Sequence, residues 1–255
     1  MPLVLLACWG ISRARKGNRI KLERRDFLKL ATTSLASMAL LESMPQTVQS
    51  ASASNLIFSL PKSDFPQMAW TVDDGCSTES LESYIQIAID NDLRFTFFVY
   101  SAMSPWKRRA KLLKPLVESG QIQLANHSHT HRNLTELSFA EIKRDLMNCH
   151  NFIEKNYDVD ARPYFRAPYG ALNSKVIQAA EDIGYTRPVG WTHSLVDMPT
   201  QSAKRLQYHA DHGFVDGSIV LSHANNLVVS NNIEALLETI NERELSLVTL
   251  NDVFT

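Results

Sequence analysis

The chain has 255 residues, 44% hydrophobic and 21% charged, values that suit a packed globular protein. A net charge of −1, with no basic stripe interleaved with aromatics beyond the first thirty residues, argues against a nucleic-acid partner. The charge is uneven: residues 1–53 hold eight Lys/Arg and three Asp/Glu, a net of +5, so the remainder carries −6.

That basic leader has the order of an export signal. Arg24-Arg25 with Phe27-Leu28-Lys29 forms a charged region, Leu30 to Leu41 a mildly apolar run, and Ala51-Ser52-Ala53 a small-residue cleavage site. The apolar run is too short and too rich in Ser and Thr to give a stable membrane span. A bare Arg-Arg pair would favour an amphipathic surface helix. The ordered set instead resembles a twin-arginine signal peptide, which implies the twin-arginine export machinery as a partner and a periplasmic or secreted location. Residues 1–53 are therefore taken as signal peptide and N-terminal extension, and residues 54–255 as one catalytic domain. Cys8, Cys76 and Cys149 make no disulfide framework, although one bridge is open to the mature chain.

Beyond Ser54, apolar runs alternate with helical patterns. Met68–Val72 reads as a buried strand, Glu79–Asn91 as a helix and Arg94–Tyr100 as an aromatic, β-branched strand. Lys107–Ser119 reads as one helix stopped by Gly120, and Gln121–Ala125 as a short strand. Ser138 caps a helix to about Asn156, with Glu141 completing a capping box. Pro163–Arg166 is extended, Asn173 caps a helix ending at Gly184, and Thr186–Trp191 is a strand. A helix over 201–211, a strand over Ser218–Ser222, a helix over Asn231–Glu242 and a strand over Ser246–Leu250 complete the pattern. This alternation predicts an α/β fold: a distorted (β/α) barrel of about seven parallel strands with outer helices, or else a doubly wound open sheet.

In either fold the chemistry collects at the C-terminal ends of the strands. Polar clusters fall there: Asp73-Asp74-Gly75, His127-Ser128-His129-Thr130-His131, Arg166-Ala167-Pro168-Tyr169-Gly170, Trp191 with Asp197, and His223. Singly, each is ordinary, since D-D-G and P-Y-G are common turns and a lone His at a strand end is usually structural. Their joint placement points to one site. Gly75 can turn the chain so that both carboxylates approach it, and two buried carboxylates call for a cation. The four-residue spacing of His127 and His131 suggests a helical turn presenting both rings to one metal, with His129 pointing elsewhere. Two His and one carboxylate suit zinc and leave open positions, without excluding iron, cobalt or nickel. Pro168 can fix the direction of the Tyr169 N–H for an oxyanion, and Arg166 can hold a carboxylate ionised.

The set resembles the polysaccharide deacetylases of carbohydrate esterase family 4, the NodB-homology domain. Their first three motifs are matched by Thr71-Val72-Asp73-Asp74-Gly75, by His127-Ser128-His129-Thr130-His131 and by Arg166-Ala167-Pro168-Tyr169-Gly170, and the fifth by Leu221-Ser222-His223. The fourth is loosest: Ser194 and Met198 stand where the family has Asp and Trp, while Asp197 is retained.

The resemblance implies a hydrolase acting on carbon–nitrogen bonds. Asp74, His127 and His131 would hold a divalent metal, most simply Zn2+. Asp73, paired with Arg166, would be the general base, the Tyr169 N–H an oxyanion donor, and His223 the general acid, oriented by Asp197. The implied substrate is an N-acetylated glycan: peptidoglycan, a chitin-like polymer or a secreted polysaccharide. Three rivals remain: an O-acetyl esterase of the xylan type, a catalytically inactive glycan-binding module, and a metal-dependent hydrolase acting on a small non-sugar amide.

Overall fold

The computed structural model describes residues 55–254, so the export-signal reading of residues 1–53 falls outside the described part. In chain order the elements are β1 (Gln67–Asp74), α1 (Thr78–Asn91), β2 (Phe95–Val99), α2 (Ser104–Arg108), α3 (Ala110–Glu118), β3 (Ile122–Asn126) and α4 (Phe139–Tyr157). Then come β4 (Tyr164–Phe165), α5 (Ser174–Glu181), β5 (Arg187–Pro188), β6 (His193–Ser194), α6 (Ala203–Gly213), β7 (Ile219–His223), α7 (Ile233–Glu242), β8 (Ser246–Leu247) and α8 (Leu250–Val253). The strand path is β5-β4-β3-β2-β1-β7-β6, with β8 added to the start of β1, and every pairing is parallel. Seven strands thus curl into a half-barrel with helices outside, the distorted (β/α) barrel rather than the open sheet.

Strand alternation sorts the core into two clusters. Met68, Trp70 and Val72 of β1, with Phe95, Phe97 and Val99 of β2, belong to the large cluster shared with the helices. Ala69 of β1, Phe98 of β2, Ala125 of β3 and Ile219 of β7 belong to a smaller one on the other face. By the same alternation, Thr71 and Asp73 share the face of Ala69, His127 that of Ala125, and His223 that of Ile219. The sheet therefore separates an aromatic, helix-backed side from a smaller, more polar interior.

Three expectations are corrected. Lys107–Ser119 is two helices: Arg109 (φ −102°, ψ 8°) leaves the helical region between α2 and α3 and pairs with Glu82 at 2.6 Å. Thr186–Trp191 is not one strand. β5 and β6 lie at opposite edges of the sheet, and the chain between them crosses the gap. There the Val189 and Gly190 carbonyls accept from the Arg166 guanidinium, and Gly190 N–H donates to Ile57. The last strand shortens to β8 because Thr249 and Asp252 form a capping box that starts α8. The Ser138–Glu141 box of α4 and the Asn173 cap of α5 form as expected. Cys149 is a free, buried thiol that donates to the Val99 carbonyl at 3.2 Å, and burial pushes its pKa up to about 12.

Candidate active site

The first cluster sits where β1 ends. Asp73 keeps the strand alternation, while Asp74 (φ 72°) and Gly75 (φ 77°) both take left-handed backbone, and this returns the second carboxylate towards the first. The indole of Trp106 fixes the turn, donating to the Asp74 carbonyl at 2.8 Å. It also lies 2.5 Å from where a side chain at Gly75 would begin, so only glycine fits there. Asp73 and Asp74 are both buried.

The histidine segment corrects one expectation and supports another. Residues 127–131 form no helical turn: Ser128 (φ 68°) and His131 (φ 53°) are left-handed. The loop is built from side-chain acceptors instead. Asn126 Oδ1 accepts from Ser128 N–H at 2.8 Å, Ser128 Oγ from His131 N–H at 3.0 Å, and Asp145 from His129 N–H at 3.2 Å. The rings of His127 and His131 nevertheless meet, with centroids 5.0 Å apart. His129 turns away to Ser101, at 2.9 Å. His127 Nδ1 is 2.8 Å from the Arg166 carbonyl, which leaves Nε2 facing the carboxylates.

Asp74, His127 and His131 form a buried group whose candidate ligand atoms lie within 4.8 Å of one another. Asp74 Oδ1 is 3.1 Å from His131 Nε2 and 3.4 Å from His127 Nε2. It has no aligned hydrogen-bond donor, an uncommon state for a buried carboxylate oxygen. Burial would raise the Asp74 carboxyl, but the two imidazoles hold it well below the ordinary carboxylate range. An orphaned anionic oxygen beside two imidazole nitrogens fits a divalent cation.

Arg166 is buried beneath this group. Its Nη1 donates to Asp73 Oδ1 at 2.7 Å and to Thr71 Oγ1 at 2.9 Å, and its plane lies 4.0 Å from the Phe98 ring. Tyr169 has φ 61°, which fixes its amide direction, and its exposed ring packs edge-on against His131 at 4.8 Å. On the other side, His223 pairs with Asp73 in the β1–β7 register. Asp197 holds it with both oxygens, one 2.9 Å from Nδ1 and one accepting the His223 N–H at 2.7 Å. Burial would lower the His223 pKa, but Asp197 first, then Asp74 and Asp73, raise it to about 9. All eight residues singled out in the sequence thus lie at the strand ends around one site. Asp197 is in place beside His223 although the fourth motif is altered.

Sequence reading missed several groups. Tyr100 stacks on His131 with centroids 5.1 Å apart, Asn225 donates to Asp74 Oδ2 at 2.7 Å, and Asn226 donates to the Asp197 carbonyl at 2.8 Å. Their only signal was position, immediately after the strands that end in Val99 and His223.

Residues 61–188 match the family model for polysaccharide deacetylase. The chain is 24% identical over 158 residues to a chitooligosaccharide deacetylase of Rhizobium leguminosarum bv. phaseoli, spanning 62% of this chain and 68% of that protein. It is 26% identical over 175 residues to the peptidoglycan-N-acetylmuramic acid deacetylase PdaA of Bacillus subtilis, spanning 68% and 64% respectively. Its fold superposes, with a TM-score of 0.68 and 21% identity, on a CE4-family pseudoenzyme from Bacillus anthracis, covering 78% of this chain and 69% of that one. Among the described residues no helix is long and apolar enough to cross a membrane. With its motifs gathered at one end of a curled parallel sheet and its family model matched over half its length, this chain belongs to the polysaccharide deacetylase family.

Proposed function

We propose that the protein is an exported, metal-dependent deacetylase that hydrolyses the N-acetyl group of N-acetylglucosamine-type residues in a polysaccharide. The observation that carries this is the pairing of Asp73 with His223 on adjacent strands, beside the Asp74–His127–His131 group. A base and an acid on neighbouring strands suit a reaction that removes one proton from water and returns one to a leaving nitrogen.

Asp74, His127 and His131 would hold the metal. A divalent metal there, most simply zinc, would supply Lewis acidity towards the acetamide carbonyl and make water easier to deprotonate. Asp73 Oδ1 is occupied by Arg166, so Oδ2, which faces the ligand group, takes the proton from the attacking water. The Tyr169 N–H donates to the oxygen that gains negative charge. His223, with Nδ1 committed to Asp197, donates from Nε2 to the departing amine. The products are acetate and a free amino sugar.

Acetate release from N-acetylglucosamine oligomers is the test. Release that stops with a chelator and returns with zinc supports the reading. Release from acetylxylan alone moves it to O-acetyl esters, and a folded, zinc-loaded protein that releases none moves it to a binding module. Residues 1–53 are proposed as an N-terminal extension and twin-arginine signal peptide. Export that persists after Arg24→Lys with Arg25→Lys would overturn that assignment.

A further inference from the structure

The turn after β7 reads His223-Ala224-Asn225-Asn226, and only His223 has a role in the chemistry above. The next three residues are tied to the turn after β1 by a ladder of hydrogen bonds. Ala224 N–H donates to the Asp73 carbonyl at 3.0 Å, and Ser77 N–H to the Ala224 carbonyl at 3.2 Å. Asn225 Oδ1 accepts from Cys76 N–H at 3.1 Å, and Ser80 Oγ donates to the Asn226 carbonyl at 2.7 Å. The remaining bond joins Asn225 Nδ2 to Asp74 Oδ2 at 2.7 Å.

Asn225 is buried, and its amide has no freedom to flip. A backbone N–H can only donate, so the side-chain oxygen must face Cys76, which turns the NH2 group towards Asp74. The Asp74 carboxylate is thereby divided. Oδ2 carries the Asn225 bond, while Oδ1 faces the two imidazoles with no aligned donor. The carboxylate also sits on left-handed backbone (φ 72°), so its orientation needs support from outside its own turn.

We infer that Asn225 is a positioning residue for the metal site: it occupies Asp74 Oδ2 and so presents Oδ1 alone as the ligand oxygen. Because Asn225 lies two residues from His223, the same turn sets the ligand on one side and the proton donor on the other. Asn226 extends the hold to the Asp197 carbonyl, behind the carboxylate that grips His223. The inference rests on the metal-site part of the deacetylase reading and not on the identity of the substrate.

Asn225→Asp isolates the decisive bond. It keeps an oxygen for Cys76 N–H but sets a carboxylate oxygen against Asp74 Oδ2, where the two repel. Asn225→Ala removes both bonds. Zinc affinity is read by competition with a chromophoric chelator, the ligand set by the visible absorption of the cobalt(II) form, and folding by thermal denaturation of the metal-free protein. The expected result is zinc affinity weaker by about 10–100-fold in both variants, as is typical when a group supporting a ligand is lost, with an altered cobalt band. Metal-free Asn225→Asp should still melt cooperatively, at a lower temperature than the parent, because the two buried carboxylates repel without metal as well. Zinc affinity within about threefold of the parent in Asn225→Asp overturns the inference, because a working second-sphere bond costs more. It also fails if neither variant folds without metal, which would make Asn225 purely structural, or if the parent takes up no zinc. A parent that takes up zinc but releases no acetate counts against the deacetylase reading alone and leaves the Asn225 comparison decisive.

Discussion

The two faces of β1 use the same strand for opposite ends. On the helix side, Trp70 is enclosed by Tyr84, Phe95 and Phe214, with ring centroids 6.4, 5.3 and 5.1 Å away, and its indole donates to Ser222 Oγ at 2.9 Å. On the interior side, the small Ala69 gives way to Thr71, which is bonded to Arg166, and then to Asp73, which is bonded to the same guanidinium. Large apolar groups stabilise through buried area and close packing, whereas the interior spends that opportunity on a buried ion pair of little net stabilising value. Fold stability and chemistry should therefore separate by face when β1 is mutated.

The largest separation is expected at the interior end. Asp73→Asn keeps the shape and the Arg166 contact but removes the base, so kcat should fall by about 10²–10⁴ while zinc affinity is largely retained. Steady-state acetate release with parallel metal titration checks this, and near-parental turnover would remove Asp73 from the base role. On the helix face the order reverses. Trp70→Ala should cost about 3–5 kcal/mol of stability. For a domain of this size that lowers the melting temperature by roughly 6–20 °C. The fraction still folded should bind zinc like the parent, and loss of metal affinity without loss of stability would show that the faces are not separable.

His223 tests the comparison through pH. Its folded value of about 9 lies above the ordinary 6.5, so its pairing with Asp197 stabilises fully below about 6.5 and is lost as pH rises through about 9. The kcat/KM profile should have an alkaline limb set by His223, because the donor must be protonated, and a divalent cation on Asp74 moves that limb below the metal-free value. Asp197→Asn leaves burial, which disfavours the charged ring, without its main opponent. The limb should move down by about 1–3 pH units, with the larger loss of rate on the alkaline side. An unmoved limb would assign it to another group.

Much of this was legible in the sequence because it depends on local pattern. Runs such as Phe95–Val99 and Ile219–His223 are buried on both faces and flanked by helix caps, so the parallel sheet and the strand ends carrying the motifs could be read directly. What stayed hidden depends on partners distant in sequence. The crossing between β5 and β6 forms because Arg166, more than twenty residues earlier, takes the Val189 and Gly190 carbonyls. The four-residue spacing of His127 and His131 suggested a helix, but Asn126, Ser128 and Asp145 offer acceptors that favour a left-handed loop. Asn225 is unremarkable in sequence, since its importance lies in a carboxylate 151 positions away.

The smallest effect is expected at Tyr169, and it distinguishes main chain from side chain within one residue. The ring packs on His131 and the hydroxyl donates to the His131 carbonyl at 3.2 Å, yet the group assigned to catalysis is the amide. Glycine at this position keeps the N–H and accepts φ 61° without strain. Tyr169→Gly should therefore leave kcat within about tenfold, less than the roughly 10²–10³ that follows loss of an oxyanion donor. KM should rise, because an exposed aromatic face at the mouth is lost to the sugar. The pattern of a raised KM with kcat nearly kept marks lost binding common to ground and transition states. If kcat instead falls by a hundredfold or more while zinc affinity holds, the ring and not the amide is the working part of Tyr169.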